Sequence, residues 1–303
     1  MRFLAIGECM AELAPASSDA EYRLGFAGDT FNTAWYLARL SPELDVALFT
    51  AIGTDRISQQ MRATVLDSGI EDQFIQDLDD LTLGLYLISL NNGERSFSYW
   101  RGQSAARQML RDEAFFAAAL DQSDIIYFSG ITLAILDQSQ RETLIEGLKA
   151  ARSAGKIIVF DPNLRPRLWD DTTQMMDVIM RGASVCDVAL PSFEDEATWF
   201  NDADPEATLK RYQKAGASTV IVKNGAEPVC YSQNAQHGRV AVTPLSRVVD
   251  TTAAGDSFNA EIISGLVNDT PIAQSIQRAC KLAASVVQGK GALVPINLDQ
   301  IDS

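Results

Sequence analysis

The run Asp250-Thr251-Thr252-Ala253-Ala254-Gly255-Asp256-Ser257-Phe258-Asn259 joins a short apolar stretch, Val248 and Val249, to an amphipathic one. Phe258, Ile262 and Leu266 recur at helical spacing, which places Ala254, Gly255 and Asp256 in the first turn of a helix. The backbone N–H groups of a first turn have no partner inside the helix, and with the helix dipole they attract anions. A carboxylate set among them would repel a phosphate, so Asp256 suits the removal of a proton from an attacking hydroxyl better than the holding of a nucleotide. The chemistry suggested is phosphoryl transfer. Thr and Asp are also common helix caps, so the same residues can be read as an ordinary helix start.

Other candidates for acid–base work are few. The only histidine, His237, lies in the polar stretch Gln233-Asn234-Ala235-Gln236-His237-Gly238, which reads as a solvated turn. Cys9, Cys186, Cys230 and Cys280 show no C-x-x-C pairing, which argues against a zinc site, a redox pair or a disulfide framework. A base must therefore be a carboxylate, a lysine or a cysteine. The formal net charge of −15 disfavours nucleic acid as a partner, so an anionic small molecule has to meet a local basic cluster. The apolar run at Phe3 to Ile6 is too short for a signal peptide or a membrane span and no later run approaches membrane length, so a soluble cytoplasmic protein is expected.

The elements that must position these residues alternate. Phe3 to Ile6, Val46 to Ile52, Ile125 to Phe128, Ile157 to Phe160, Val185 to Leu190 and Val220 to Val222 read as buried strands. Helical spacing separates most of them, as in 31–40 and 144–151. With 303 residues, 47% of them hydrophobic, the chain has material for a full core, and the alternation implies an α/β fold with a doubly wound, mostly parallel sheet. Asp161 and Asn163 follow one strand end and Ser192 another, where ligands bind in such sheets.

One segment departs from the alternation. Leu83 to Leu90 and Arg95 to Arg101 flank Asn92-Gly93, a strong hairpin signal. A two-residue turn there sets Leu90 opposite Arg95, Ile88 opposite Phe97 and Tyr86 opposite Tyr99. Tyr86, Tyr99 and Arg101 then share one face, with Leu85, Leu87 and Trp100 on the other. Two tyrosines and an arginine suit an anionic polyhydroxy ligand, although aromatic pairs are also ordinary on a hairpin face.

Three further pieces are each compatible with a merely structural role: Gly28-Asp29-Thr30-Phe31-Asn32 entering a helix, Asp161-Pro162-Asn163-Leu164-Arg165-Pro166 leaving a strand, and Val222-Lys223-Asn224-Gly225-Ala226 as a turn. In this order, together with Asp250 to Asp256, they make the chain resemble the PfkB (ribokinase-like) carbohydrate kinases, from Gly7-Glu8-Cys9-Met10 to Gly291-Ala292-Leu293-Val294-Pro295. Gly93-Glu94-Arg95, Tyr99-Trp100-Arg101 and Asn163-Leu164-Arg165-Pro166 draw the resemblance toward the branch that acts on a 2-keto-3-deoxy sugar acid. The resemblance implies ATP-dependent phosphorylation, with Mg²⁺, of the terminal (C6) hydroxyl of 2-dehydro-3-deoxy-D-gluconate. It also implies one ribokinase-like domain over residues 1–303 bearing a small β lid formed by segments near 9–27 and 82–104.

By the same resemblance Asp256 is the base, and the small run Ala253, Ala254 and Gly255 with the N–H of Asp256 forms the anion hole. Gly28, Asp29 and Asn32 hold sugar hydroxyls, while Tyr86, Tyr99, Arg101 and Arg165 hold the rest of the acid. The planar fork of arginine suits a carboxylate in a way lysine cannot copy. Asn163 and Arg165 approach the nucleotide phosphates, and Lys223, Gly225 and the small residues around Ala283 line the adenosine region. No tight metal motif is expected, because Mg²⁺ with a nucleotide keeps several waters.

Two departures bear on the site. Ala27 and Ala253 stand where glycines are common in the family, and alanine is costly only where φ is positive. Ser192-Phe193-Glu194-Asp195 keeps an acid of the family's Asn-x-x-Glu element but loses the amide. The alternatives are a fructokinase-like relative acting on a neutral sugar, which Arg101 and Arg165 oppose, and a sugar-binding relative without catalysis, which Asp256 opposes. A nicotinamide dehydrogenase is disfavoured because Gly7-Glu8-Cys9-Met10-Ala11-Glu12 lacks the G-x-G-x-x-G turn. The apolar outer face of the hairpin suggests a homo-oligomer, as a dimer through the lid.

Overall fold

A computed structural model describes residues 1–16, 21–91, 94–234, 236–245 and 247–302. A nine-stranded sheet runs, edge to edge, through Gln236–Val240, Val229–Gln233, Thr219–Val222, Val188–Ala189, Ile157–Asp161, Ile125–Ser129, Arg2–Ile6, Asp45–Ile52 and Ile75–Asp77. It is parallel except at Val229–Gln233, which pairs antiparallel with both of its neighbours. The chain starts in the interior strand Arg2–Ile6, extends to one edge, then returns beside it at Ile125–Ser129 and extends to the other. That reversal creates a crevice at the strands' carboxyl ends.

Strand alternation divides the core in two. Phe3, Ala5, Val46, Leu48, Ile125 and Tyr127 point to one face, packing with helices Asp29–Leu40, Ala254–Val267 and Ile272–Val286. Leu4, Ile6, Ala47, Phe49, Ile126 and Phe128 point to the other, against Glu113–Asp121, Gln138–Ser153, Thr172–Ser184 and Pro205–Ala215. All six expected strands belong to this sheet, although Val185 to Leu190 contracts to Val188–Ala189. Lacking a long apolar run, Ile75–Asp77 and the antiparallel edge hairpin escaped the pattern. His237 is therefore not in a turn: it sits in the edge strand Gln236–Val240, exposed and opposite Ser232.

A second, four-stranded sheet has the order Tyr22–Ala27, Met10–Pro15, Leu85–Asn91, Glu94–Trp100. The Asn92-Gly93 turn lies outside the described residues. The strands flanking it pair Leu90 with Arg95, Ile88 with Phe97 and Tyr86 with Tyr99, the register a two-residue turn requires. The chain crosses between the two sheets four times, and the crossings converge on Glu8. A Cβ on Gly28 would lie 2.0 Å from the Glu8 carbonyl oxygen, and one on Gly84 would lie 2.5 Å from Glu8 Oε1 and 3.2 Å from Arg101 Cβ. These contacts require glycine, because no side chain fits there.

Candidate active site

The helix Ala254–Val267 starts where the spacing places it, with Phe258 and Ile262 buried. Ala253 caps it at φ 59° and carries no side-chain cap bond. This residue is in the left-handed region, so of the two possibilities for an alanine here the chain has the strained one, at a cost of about 1 kcal/mol. Ala27, by contrast, is not among the described residues with positive φ. Ser257 N–H is the first to reach a carbonyl four residues back, that of Ala253 at 2.9 Å, while Ala254 N–H turns to Thr251 at 3.3 Å. The N–H groups of Gly255 and Asp256 are left without intrahelical partners, as helix starts leave them.

These groups open on a cleft of about 490 Å³ between the two sheets. Of the residues named from the sequence, Gly28, Asp29, Asn32, Tyr86, Tyr99, Asn163, Arg165, Lys223, Ala253, Gly255 and Asp256 line it. Asp256 Oδ2 accepts a hydrogen bond from Asn32 Nδ2 at 2.8 Å. Burial first, and then the nearby Asp29 and Asp161, push the Asp256 carboxyl up to about 8, against the opposing pull of Asn32 and Lys223. A carboxyl held near neutrality at an anion-binding helix start has the affinity a general base needs. Burial also raises Asp29, although hydrogen bonds from Ser129 and Asn163 oppose the shift. Asn163 Nδ2 donates to Asp29 Oδ2 at 2.7 Å, tying the strand-end loop to the helix Asp29–Leu40.

Lys223 brings the positive charge. Its Nζ lies 3.3 Å from both Asp161 oxygens and 3.2 Å from Asn259 Oδ1, and a Cβ on Gly255 would be 3.6 Å from it. Ser192 and Asp195 also line the cleft, so the segment that lost the family's amide still delivers an acid. Burial raises the Asp195 carboxyl while Arg165 and Lys223 pull it down, which sets Asp195 among the cleft's cations.

Four of the named residues are absent from the cleft lining, among them Ala283, which packs partly buried against the core from the helix Ile272–Val286. Arg101 is absent from the cleft lining; its Nη2 donates to the carboxylate of the buried Glu8 at the convergence of the crossings. Gly225 is exposed in a turn, at φ 58°, and Ala254 is set back from the cleft surface. Phe97, not among the residues named above, also lines the cleft, its ring centroid 6.2 Å from those of both Tyr86 and Tyr99. Strand parity puts Phe97 on the same face as Tyr99, so the signal was present. Glu12 went unnamed as well; it faces Tyr86 in register and accepts a hydrogen bond from its hydroxyl.

A doubly wound sheet with an anion-binding helix start, a poised carboxyl and a lysine at its switch point defines a phosphotransferase of the α/β class. The pfkB family carbohydrate kinase profile matches residues 2–298, and the chain belongs to that family. The 2-dehydro-3-deoxygluconokinase of Haemophilus influenzae is 41% identical over 296 residues, covering 95% of this chain and 94% of that one. In fold, the chain is similar to the crystal structure of 2-dehydro-3-deoxygluconokinase from Thermotoga maritima, with a TM-score of 0.85 at 21% identity over 100% of this chain and 98% of the other. It is also similar to a fructokinase with bound ATP from Xylella fastidiosa, with a TM-score of 0.83 at 24% identity over 96% and 94%. No helix among the described residues is long and apolar enough to cross a membrane.

Proposed function

We propose that this chain transfers the terminal phosphoryl group of ATP to the C6 hydroxyl of 2-dehydro-3-deoxy-D-gluconate, giving the 6-phosphate. The observation that carries the mechanism is the Asp256 carboxyl, pushed up to about 8 and oriented by Asn32 beside the free N–H groups of Gly255 and Asp256. The similarity to the Haemophilus influenzae kinase supports the substrate, and the ATP-bound fructokinase supports the phosphate donor.

In this reading Gly28, Asp29 and Asn32 hold sugar hydroxyls, with Tyr86, Phe97 and Tyr99 forming an aromatic wall over the ring or chain. Arg165, exposed at the cleft, offers its fork to the substrate carboxylate or a phosphate. The same role for Arg101, as a second fork for the acid, requires its guanidinium to leave Glu8, which engages it outside the cleft lining. Asp256 takes the hydroxyl proton as the oxygen attacks. The N–H groups at the helix start and the Lys223 ammonium then stabilise charge on the transferring phosphoryl group, fixed donors being worth more in a site from which water is excluded.

Asp195 fits a hydrated Mg²⁺: it is an acid on the cleft lining, and ion-bound waters would reach it where an amide is missing. When bound, the ion spreads the negative charge of the phosphates. Asn163, Gly225 and the surroundings of Ala283 serve the nucleotide. The four-stranded sheet acts as a lid over the sugar, and residues 1–303 work as one kinase domain. The lid's outer face carries Leu24 and Trp100, exposed by 38% and 60%, and a second copy of the chain covers it in a homodimer.

The test is Asp256→Asn. Turnover should fall about a thousandfold while sugar binding by calorimetry stays within a few-fold of the parent. Turnover near the parental rate with normal sugar binding would remove Asp256 as the base.

A further inference from the structure

Asn259 lies on the helix Ala254–Val267, three residues after Asp256 and four after Gly255, on the face that meets the cleft. It is fully buried. Its amide is used at both ends: Nδ2 donates to Asp161 Oδ2 at 2.7 Å and to the Tyr127 hydroxyl at 3.1 Å, and Oδ1 accepts from Lys223 Nζ at 3.2 Å. A flipped amide would set its oxygen against the Asp161 carboxylate and its NH₂ against the ammonium, so the surroundings fix this orientation. Tyr127 is in turn held by Thr33 Oγ1 at 3.4 Å.

The arrangement is electrostatically unusual. A helix N-terminus is the positive end of the dipole and repels a cation, yet the Lys223 ammonium is held 3.6 Å from where a Gly255 Cβ would be. Asp161 supplies the counter-charge for burial, and Asn259 supplies a neutral acceptor that sets position without cancelling charge. A positive group kept at the positive end of a helix gains stability when an anion binds between them. We infer that Asn259 is a positioning residue for phosphoryl transfer: it holds Lys223 against the helix start so that ammonium and backbone N–H groups grip the same phosphate oxygens. This rests on the proposed function above and assigns a role to a residue that does not itself touch substrate.

A double-mutant cycle tests it on the full chain, reading affinity for a non-hydrolysable ATP analogue with Mg²⁺ by calorimetry and sugar affinity in parallel. Asn259→Leu should weaken analogue binding about tenfold, the loss expected for a hydrogen bond to a charged group, and leave sugar binding within twofold. In the Lys223→Met background the same change should cost less than twofold, because the group it positions is gone. If Asn259→Leu does not fold, Asn259→Ser, smaller and still polar, carries the same comparison. An equal loss in both backgrounds would make Asn259 an ordinary core residue and overturn the inference while leaving the proposed function standing. Analogue binding unchanged by Lys223→Met alone would instead show that the phosphates lie elsewhere, and the proposed function itself would fall.

Discussion

With Asp256 as the proposed base, its ionisation should set the rate on the acid side, and the size of that effect follows from the site. Its carboxyl stands at about 8, with burial the largest cause and the charges of Asp29 and Asp161 adding to it, while Asn32 and Lys223 oppose. Only the ionised form can take a proton, so kcat/KM, which reports the free enzyme, should fall on the acid side. With the midpoint near pH 8, about half the sites are ionised at pH 8 and about one in a hundred at pH 6, a loss of roughly fiftyfold. Asp29 and Asp256 interact, so the observed limb belongs to the pair. Replacing Asp29 by Asn removes a negative neighbour and must move the limb to lower pH, whatever it does to sugar affinity. Replacing Lys223 by Met removes a positive one and must move it to higher pH. The assay is a coupled measurement of ADP release between pH 5.5 and 9 for the parent and both variants. A profile flat from pH 6 to 8, or a limb that moves upward in Asp29→Asn, would show that Asp256 is not the ionising base.

Three further outcomes are expected. The Asp256 carboxyl is raised from 3.8 to about 8 in the folded chain, so its contribution to stability is complete below pH 4, declines as pH rises and is lost above about 8. Asp256→Asn should therefore raise the melting temperature relative to the parent more at pH 9 than at pH 5, by differential scanning calorimetry; a larger gain at pH 5 would reverse the sign and contradict the burial argument. Ala253→Gly should relieve the left-handed strain at φ 59° and raise the melting temperature by about 1–2 °C, since relief of about 1 kcal/mol is partly offset by the freer unfolded chain; a drop of several degrees would show that no strain is stored there. Trp100→Lys, on the outer face of the small sheet, should convert a dimer to a monomer in sedimentation equilibrium, and a dimer of unchanged affinity would place the interface elsewhere.

Much of the fold was legible because burial on both faces of a parallel sheet writes itself as short apolar runs. Phe3 to Ile6 and Ile125 to Phe128 pair as neighbours in the large sheet, and the helix starting at Ala254 begins where its apolar spacing predicts. Elements whose burial comes from one neighbour were not legible: Ile75–Asp77 is three residues long, and the edge strand holding His237 is mostly polar because one side faces water. In the site, the residues contributed by loops and helix starts could be named one by one, since each segment carries its own turn chemistry. The couplings between them could not. Asn32 to Asp256 spans 224 positions of sequence and Asn163 to Asp29 spans 134, and no local pattern specifies such a contact. Arg101 shows the same limit. Strand parity placed it on the face of Tyr99, but only the convergence of four crossings at Glu8 reveals that its guanidinium is already engaged. Asn259 was hidden because a buried polar residue at a core position of a helix looks like an interruption of the apolar stripe until its partners are known.

The proposed pairing of this site with an acidic deoxy sugar is open to measurement. Steady-state turnover of ATP with 2-dehydro-3-deoxy-D-gluconate, measured beside fructose, ribose and gluconate at equal concentrations, tests it most directly. The value of kcat/KM for the keto-deoxy acid should be at least a hundredfold above that for any of the other three, because fructose and ribose lack a carboxylate for arginine, and gluconate, which has one, lacks the 2-keto, 3-deoxy chain that packs beneath Tyr86, Phe97 and Tyr99. An equal or higher value for fructose or ribose would contradict it.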